Sequence, residues 1–369
     1  MRSFLRAGLA LGLLAAACKD AAAPGDFSDP VAVTTDMQSV DSAFDSDVYR
    51  SFSFASLNLG PAATGVAPLK PAATLLGGTV PKLDRSTGHV LLVGAVQAQR
   101  LQQLRPAMDV AAAQGSIIPD SVYGRVFQWD TASDSYKWQD SIVAGLNGVR
   151  FILYQVDEFG FVVEPTVEVG TLDVIDESTL NHLQLHILVK GLGGTPTYLD
   201  YTASISATQT SVTANATGSL SNGLVVGNKT LTFDETFTVT QTRVTANATF
   251  TLNDPARTFT VSESATVSGQ SLVITGDFRF VRPGETVQFY ARLTIDSTIT
   301  ISATVRVNGR TVATFNGEPG DPGTLWKDAG GDPLTADDIA ALEALESSAG
   351  GFQQALNSLF LPVDTFFGG

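Results

Sequence analysis

Few residues in this chain are equipped for catalysis. It has three histidines and one cysteine. His182 and His186 have the H-x-x-x-H spacing that holds zinc when it falls on a helix. Here the context is His182-Leu-Gln-Leu-His-Ile-Leu-Val189, which alternates as a strand. Four residues along a strand span roughly 13 Å, too far for two imidazoles to share an ion. The spacing therefore predicts histidines exposed on a strand face and no metal site. His89 is the remaining imidazole, and no G-x-S-x-G elbow accompanies any of the three, so a Ser–His–Asp triad is not expected. Adjacent carboxylates occur at Asp157/Glu158, Asp176/Glu177 and Asp234/Glu235. No pattern ties any two of them together in space, and they read as surface charges. Asp321, Asp328, Asp332, Asp337 and Asp338 crowd one stretch near the C-terminus but lack the D-x-[DN]-x-[DN]-G calcium pattern. They read as turn and cap residues. Gly191-Leu-Gly-Gly194 has neither the lysine nor the following helix of a phosphate loop. No cofactor and no metal is expected.

One group of side chains could bind. Phe127, Trp129, Tyr136 and Trp138 fall on the two arms of a predicted hairpin around Asp130-Thr-Ala-Ser-Asp134. Cross-strand packing is the ordinary role of such a group. An exposed aromatic platform for a glycan or a lipid is the alternative.

Composition narrows the classes further. The chain has 369 residues, a net charge of −15, 16% charged residues and 44% hydrophobic residues. It can bury a core, which excludes wholesale disorder. So acidic a balance argues against a nucleic-acid partner, because phosphate neutralisation needs clustered Lys and Arg. One cysteine excludes an intrachain disulfide framework and a cysteine zinc cage.

The cysteine has a telling position. Arg2 and Arg6 precede a charge-free apolar run from Ala7 to Ala17, which ends at Cys18. That is the pattern of a secretory signal, and the run is too short to span a bilayer. Leu14-Ala15-Ala16-Ala17-Cys18 resembles the lipobox of bacterial lipoproteins, although Ala15 stands where Leu or Val is commoner. The resemblance covers the first 18 residues. It implies a mature chain that begins at a diacylated Cys18, held to a membrane of the cell envelope by acyl chains. Lys19, where an Asp would favour retention in the inner membrane, implies the outer membrane. Losing Arg2 and Arg6 would take the net charge to −17.

The remaining chain divides by texture. A signal peptide (1–17) and a tether (18–29) precede an amphipathic helix (30–56). In that helix Val33, Met37, Val40, Phe44, Val48 and Phe52 form one stripe. Residues 57–120 read as a linker or irregular region. From 121 to 316 the chain is β: inward apolar residues alternate with Thr, Ser and Asn, and turns fall at Asn222-Gly223, Asn253-Asp-Pro255, Ser268-Gly269, Arg282-Pro-Gly284 and Asn308-Gly309. Separate strands are expected at Val162–Val169 and Leu172–Ile175. An internal repeat aligns Ala207–Thr217 with Val239–Thr249, differing at two positions and offset by 32 residues. That offset looks too long for one hairpin. Residues 317–369 form a loop and C-terminal helices that pack on the β domain, opening with the capping-box sequence Thr335-Ala-Asp-Asp338 and carrying an apolar stripe from Ile339 to Leu359.

These elements predict a mainly β (α+β) fold: a large antiparallel meander, as a half-barrel or sandwich, with an amphipathic helix at each end. The half-barrel form resembles, in architecture alone, the lipid- and lipoprotein-carrying half-barrels of the bacterial envelope. The small residues Ala214, Ala216, Ala246, Ala248 and Ala303 would then leave room for an acyl chain or a helix. The expected function is a non-enzymatic structural or binding module for an apolar ligand or an envelope protein partner. The alternatives are an enzyme using carboxylates on the β scaffold and a membrane-spanning β-barrel.

Overall fold

The computed structural model describes residues 31, 32, 35, 47–58, 116–317 and 326–342, apart from 158, 181, 209, 269, 270, 337 and 341. Helix α1 spans Asp47–Leu57, and Val31, Ala32 and Thr35 are also helical. The rest is β. Fifteen strands run from β1 (Arg125–Asp130) and β2 (Ser135–Ile142) through β3 (Gly148–Tyr154), β4 (Glu168–Asp176), β5 (Leu183–Gly191) and β6 (Thr197–Ala207). They continue with β7 (Ser211–Ser221), β8 (Thr230–Thr240), β9 (Arg243–Leu252), β10 (Arg257–Ser268) and β11 (Ser271–Arg282). The last are β12 (Glu285–Ile295), β13 (Ile299–Val307), β14 (Arg310–Gly317) and the short β15 (Lys327–Asp328).

All fifteen belong to one sheet, a mainly β meander as the alternation predicts. From β3 to β15 each strand pairs antiparallel with its sequence neighbours. Beyond β3 the order departs from the chain, because β1 lies parallel to β3 and β2 hangs on its far side. Among the described residues the sheet is therefore mixed and ends at β2 and β15, not closed into a barrel. Two expected strands, Val162–Val169 and Leu172–Ile175, become one. Residues 162–167 stay outside the ladder except for a bridge from Val162 to Val156, and only Glu168–Asp176 pairs as β4. Pro165 has no N–H to give a ladder, and the Asp157 carboxylate turns the chain just before it by accepting the N–H groups of Phe159 and Phe161 at 2.9 Å each.

One face of the sheet is apolar along its whole length. Leu199, Tyr201, Ala203 and Ile205 of β6 begin a buried series that runs through Val287, Ala291 and Leu293 of β12 to Val305 of β13. The other face is lined with Thr, Ser, Asn and charged residues, as in Thr236 donating to the Asn215 carboxamide oxygen at 2.9 Å and Ser262 donating to that of Asn247 at 2.8 Å. Gly218 is one of the tight positions on this face. Its cross-strand partner is Tyr201, whose ring lies 5.8 Å from that of Phe233 on the next strand, and a Cβ at Gly218 would fall 2.3 Å from Tyr201 Cβ.

Helix α1 covers the β3–β4 end of the apolar face. It buries Val48, Tyr49, Phe52 and Ala55, and its Ser51 hydroxyl donates to the Tyr154 carbonyl at 2.5 Å. Asp47 in the first turn suits the helix dipole. At the opposite end of the sheet, Trp326 packs its ring 6.0 Å from Phe289 and 5.7 Å from Phe315. Half of the expected capping box is present there: the Asp338 N–H donates to Thr335 Oγ1 at 3.2 Å, while the Asp338 carboxylate accepts the Thr335 hydroxyl rather than the Thr335 N–H.

Candidate functional site

Away from the end that carries Arg257, Arg282 and Glu285, the apolar face is broken at two positions. Strand β8 turns Leu231, Phe233, Glu235, Phe237 and Val239 inward, and β10 turns Phe259, Val261, Glu263, Ala265 and Val267 the same way. Cross-strand register fixes what surrounds each glutamate. Glu235 lies between Ala216 of β7 and Ala248 of β9, with Ala203 of β6 one strand further out. Glu263 lies between Ala246 of β9 and Gly276 of β11, and the same row continues through Ala291 and Ala303. Both carboxyls therefore rise from a floor of alanine and glycine. The two Cα positions are two strands and one two-residue step apart, about 12 Å from strand spacing and rise.

There is room beside them. Among the described residues a Cβ placed on Gly276 would meet no atom within 4 Å, whereas one at Gly218 on the same face would collide with the neighbouring strand. Glu235 Oε2 is buried and accepts no hydrogen bond. Burial pushes the Glu235 carboxyl up to about 8, reinforced by the charge of Glu263, and burial alone pushes Glu263 up to about 7. At neutral pH both hover between the acid and its anion. A buried carboxyl without a partner costs stability unless something neutralises it or donates to it, so this patch is poised to accept a ligand group that does so.

Comparison with family models, curated proteins and solved structures finds no match to this chain.

The residues singled out from sequence fare differently. Phe127 is fully buried and stacks on Phe151 with ring centroids 4.8 Å apart. Tyr136 is buried too, its hydroxyl donating to the Ile152 carbonyl at 3.0 Å. Trp129 packs edge-on against Tyr136 at 5.4 Å and against Phe54 of α1 at 4.9 Å. These three rings meet in one knot that seats α1 on the sheet. Trp138 alone stays largely exposed, at 56%, with the Arg125 guanidinium 4.6 Å above its ring. Cys18 lies outside the described residues.

His186 lies on β5, and His182 just before it, in an isolated bridge to Thr179; His89 lies outside the described residues. His186 sits between two carboxylates, with Nε2 2.8 Å from Asp200 and Nδ1 3.3 Å from Glu177, while His182 Nε2 lies 3.1 Å from Gln184 Oε1. Among the described residues no three His, Cys, Asp or Glu side chains come together as a metal site. Asp176 is a clip: its Oδ2 accepts the backbone N–H groups of Ile117 at 2.6 Å and Ile118 at 2.7 Å. Asp328 closes a turn onto the Asp332 N–H at 2.8 Å. Asp321 and Asp337 lie outside the described residues.

The reading of Asp234/Glu235 as a pair of surface charges needs correction. Asp234 faces solvent, but Glu235 is the next residue along a strand and so projects through the opposite, apolar face. Glu263 was not distinguished at all. The available signal was parity: both glutamates fall on the apolar beat of a strand whose neighbours on that beat are Phe, Val and Ala.

Proposed function

We propose that this chain is a lipid-anchored protein of the bacterial cell envelope that holds an apolar ligand on the inner face of its sheet without transforming it. The observation that carries the reading is Gly276, where a Cβ would meet no described atom within 4 Å, set in an Ala/Gly floor on a face otherwise lined by large apolar side chains. Interiors are normally filled to crystal-like density, so a face that keeps room for a side chain is a candidate seat for something else. The lipobox at Leu14–Cys18 supplies the membrane address.

The membrane side has support in the loops. Successive antiparallel turns leave alternate ends of the sheet, so the β3–β4, β5–β6 and β7–β8 connections emerge together at one end. They expose Phe159, Phe161, Leu192, Leu224, Val225 and Val226, the fifth at 99%. Residues so apolar and so exposed mark a surface that meets another phase or another protein.

The test fills the space. Gly276 has no positive backbone φ, so Gly276→Leu is compatible with the strand. Purified protein analysed by native mass spectrometry is expected to carry a co-purified apolar molecule, and Gly276→Leu to lose it while keeping the wild-type melting temperature within a few degrees. Wild-type protein that carries nothing and binds no neutral apolar fluorophore overturns the reading. In parallel, fatty-acid labelling of cells is expected for wild type and absent for Cys18→Ala; equal labelling removes the anchor.

A carboxylate enzyme is the second reading, favoured by the elevated Glu235 and Glu263. Their surroundings argue against it. The neighbouring inward positions are Ala, Val, Phe and Gly, which supply no polar group to orient a substrate or to hold a developing charge.

A further inference from the structure

The ligand's polar end is constrained by the same patch, and this step rests on the carrier reading above. We infer that the ligand is a cationic amphiphile: an aliphatic chain ending in an ammonium group, which is seated between the carboxyls of Glu235 and Glu263.

Glu235 Oε2 is buried with no donor, and the inward positions flanking both glutamates are Ala216, Ala248, Ala246 and Gly276. The other titratable groups on the inward side of β6 to β12 are remote. Tyr201 is separated from Glu235 by β7 and offset by a two-residue step, with its hydroxyl held neutral by burial. Arg257 lies six residues along β10 from Glu263, about 20 Å at strand rise. Arg282 and Glu285 form a buried ion pair at the same distant end, with Arg282 Nε donating to Glu285 Oε2 at 2.6 Å. No described cation therefore reaches the carboxyls.

Three kinds of ligand end could enter. A carboxylate or phosphate meets two groups that share or carry negative charge, and it is rejected. A hydroxyl can trade hydrogen bonds with the acids but gains no charge attraction. An ammonium, by its positive charge, favours ionisation of one glutamate, whose proton passes to solvent water; it pairs with the resulting carboxylate and keeps the second as a donor or acceptor, so that no buried charge is left alone. The Ala/Gly floor leaves the space an alkyl chain needs and offers nothing to bind a larger polar head.

Competition against a bound neutral fluorophore, N-phenyl-1-naphthylamine, tests this. The protein is the full chain carrying Cys18→Ala, so that no acyl anchor competes for the space. The competitors are dodecylammonium, dodecanol and dodecanoate at pH 7.5. Dodecylammonium is expected to displace the probe at least about tenfold better than dodecanoate, with dodecanol between them. Glu235→Gln and Glu263→Gln should each abolish that preference while still binding the probe, which also shows that they fold. A chain that never binds the probe overturns the carrier reading and this inference with it. A chain that binds the probe but takes dodecanoate as well as dodecylammonium overturns this inference alone. So does an amine preference that survives both glutamine variants.

Discussion

A glutamate on the apolar side of a sheet is tolerable while it is protonated and becomes costly as it ionises. Folding raises the pKa of Glu235 to about 8 and that of Glu263 to about 7 from an ordinary 4.5, making both weaker acids. The folded state thus holds protons that the unfolded chain has already released between those limits. The sign follows: the contribution to stability is fully present below pH 4.5 and is lost as pH rises through 7 and 8. Wild-type protein should therefore melt at progressively lower temperature from pH 5 to pH 9, in part through these two groups. Glu235→Gln, which cannot ionise, should match wild type near pH 5 and exceed it by a few degrees near pH 9 in scanning calorimetry. A variant that tracks wild type across the whole range would show that Glu235 is solvated in the folded protein. Why the sequence hid these residues is also a matter of single positions. Glu235 follows Asp234, and two acids in a row look like a solvated turn, whereas on a strand they point to opposite faces.

At the scale of elements, the pattern was far easier to follow. Alternation and turn residues placed most of the meander, and Asn308-Gly309 forms the expected tight turn with φ of 50° and 80° at the two positions. What failed to show was pairing beyond the nearest neighbour. The parallel alignment of β1 with β3 depends on how Phe127 and Tyr136 pack against Phe151, a tertiary fact with no local signature. The repeat changes meaning as well. Each copy spans a turn and the strand leaving it, β7 in one and β9 in the other, and the offset is set by the long connection at residues 222–229. The repeated unit is therefore a single hairpin, contrary to the expectation from its length. Its Ala-x-Ala segments, Ala214/Ala216 and Ala246/Ala248, flank β8 and build the floor around Glu235.

Two substitutions test the packing of these elements. At Gly218 a Cβ would lie 2.3 Å from both Asp200 O and Tyr201 Cβ, so Gly218→Val must force β6 and β7 apart. We expect a loss of about 2–4 kcal/mol in urea unfolding, at or above the usual cost of overpacking because backbone, not only side chain, has to move. The same change at Gly276, where nothing lies within 4 Å, should cost less than about 1 kcal/mol. For α1, removing the Phe54 ring from Trp129 should cost about 2–3 kcal/mol, since the ring is only half-buried. Phe54→Ala should also raise amide exchange across Asp47–Leu57 well before it affects β8 to β12. Uniform loss of protection in both regions would mean that the helix and the sheet open as one unit.

At the scale of the whole molecule, the exposed loop tips give the sheet two unlike ends. Leu224, Val225 and Val226 stand at 58%, 99% and 87% exposure, and their loop touches its neighbour, because a Cβ on Gly223 would strike the Tyr198 ring at 2.5 Å and Pro196 at 2.8 Å. Phe159 and Phe161 protrude beside Leu192 on the next connections along the same end. These are separate projections rather than one flat patch, a shape that a fluid acyl phase can wrap. A chain anchored at Cys18 would be held close enough to a bilayer for the tips to enter it, which would bring the apolar face toward the source of an apolar ligand. Burying one such side chain is worth about 1.5–3 kcal/mol, so replacing it with a charge should weaken partition about tenfold or more. The measurement is co-sedimentation of the Cys18→Ala chain, free of its acyl anchor, with phosphatidylethanolamine–phosphatidylglycerol vesicles. Wild-type tips should bind measurably, Val225→Asp with Val226→Asp should not, and Leu180→Asp at the opposite end should bind like wild type. Equal sedimentation of all three would place the bilayer elsewhere and leave the tips for a protein partner. Vesicle binding that vanishes at high salt would point the same way, because apolar insertion does not depend on screened charge.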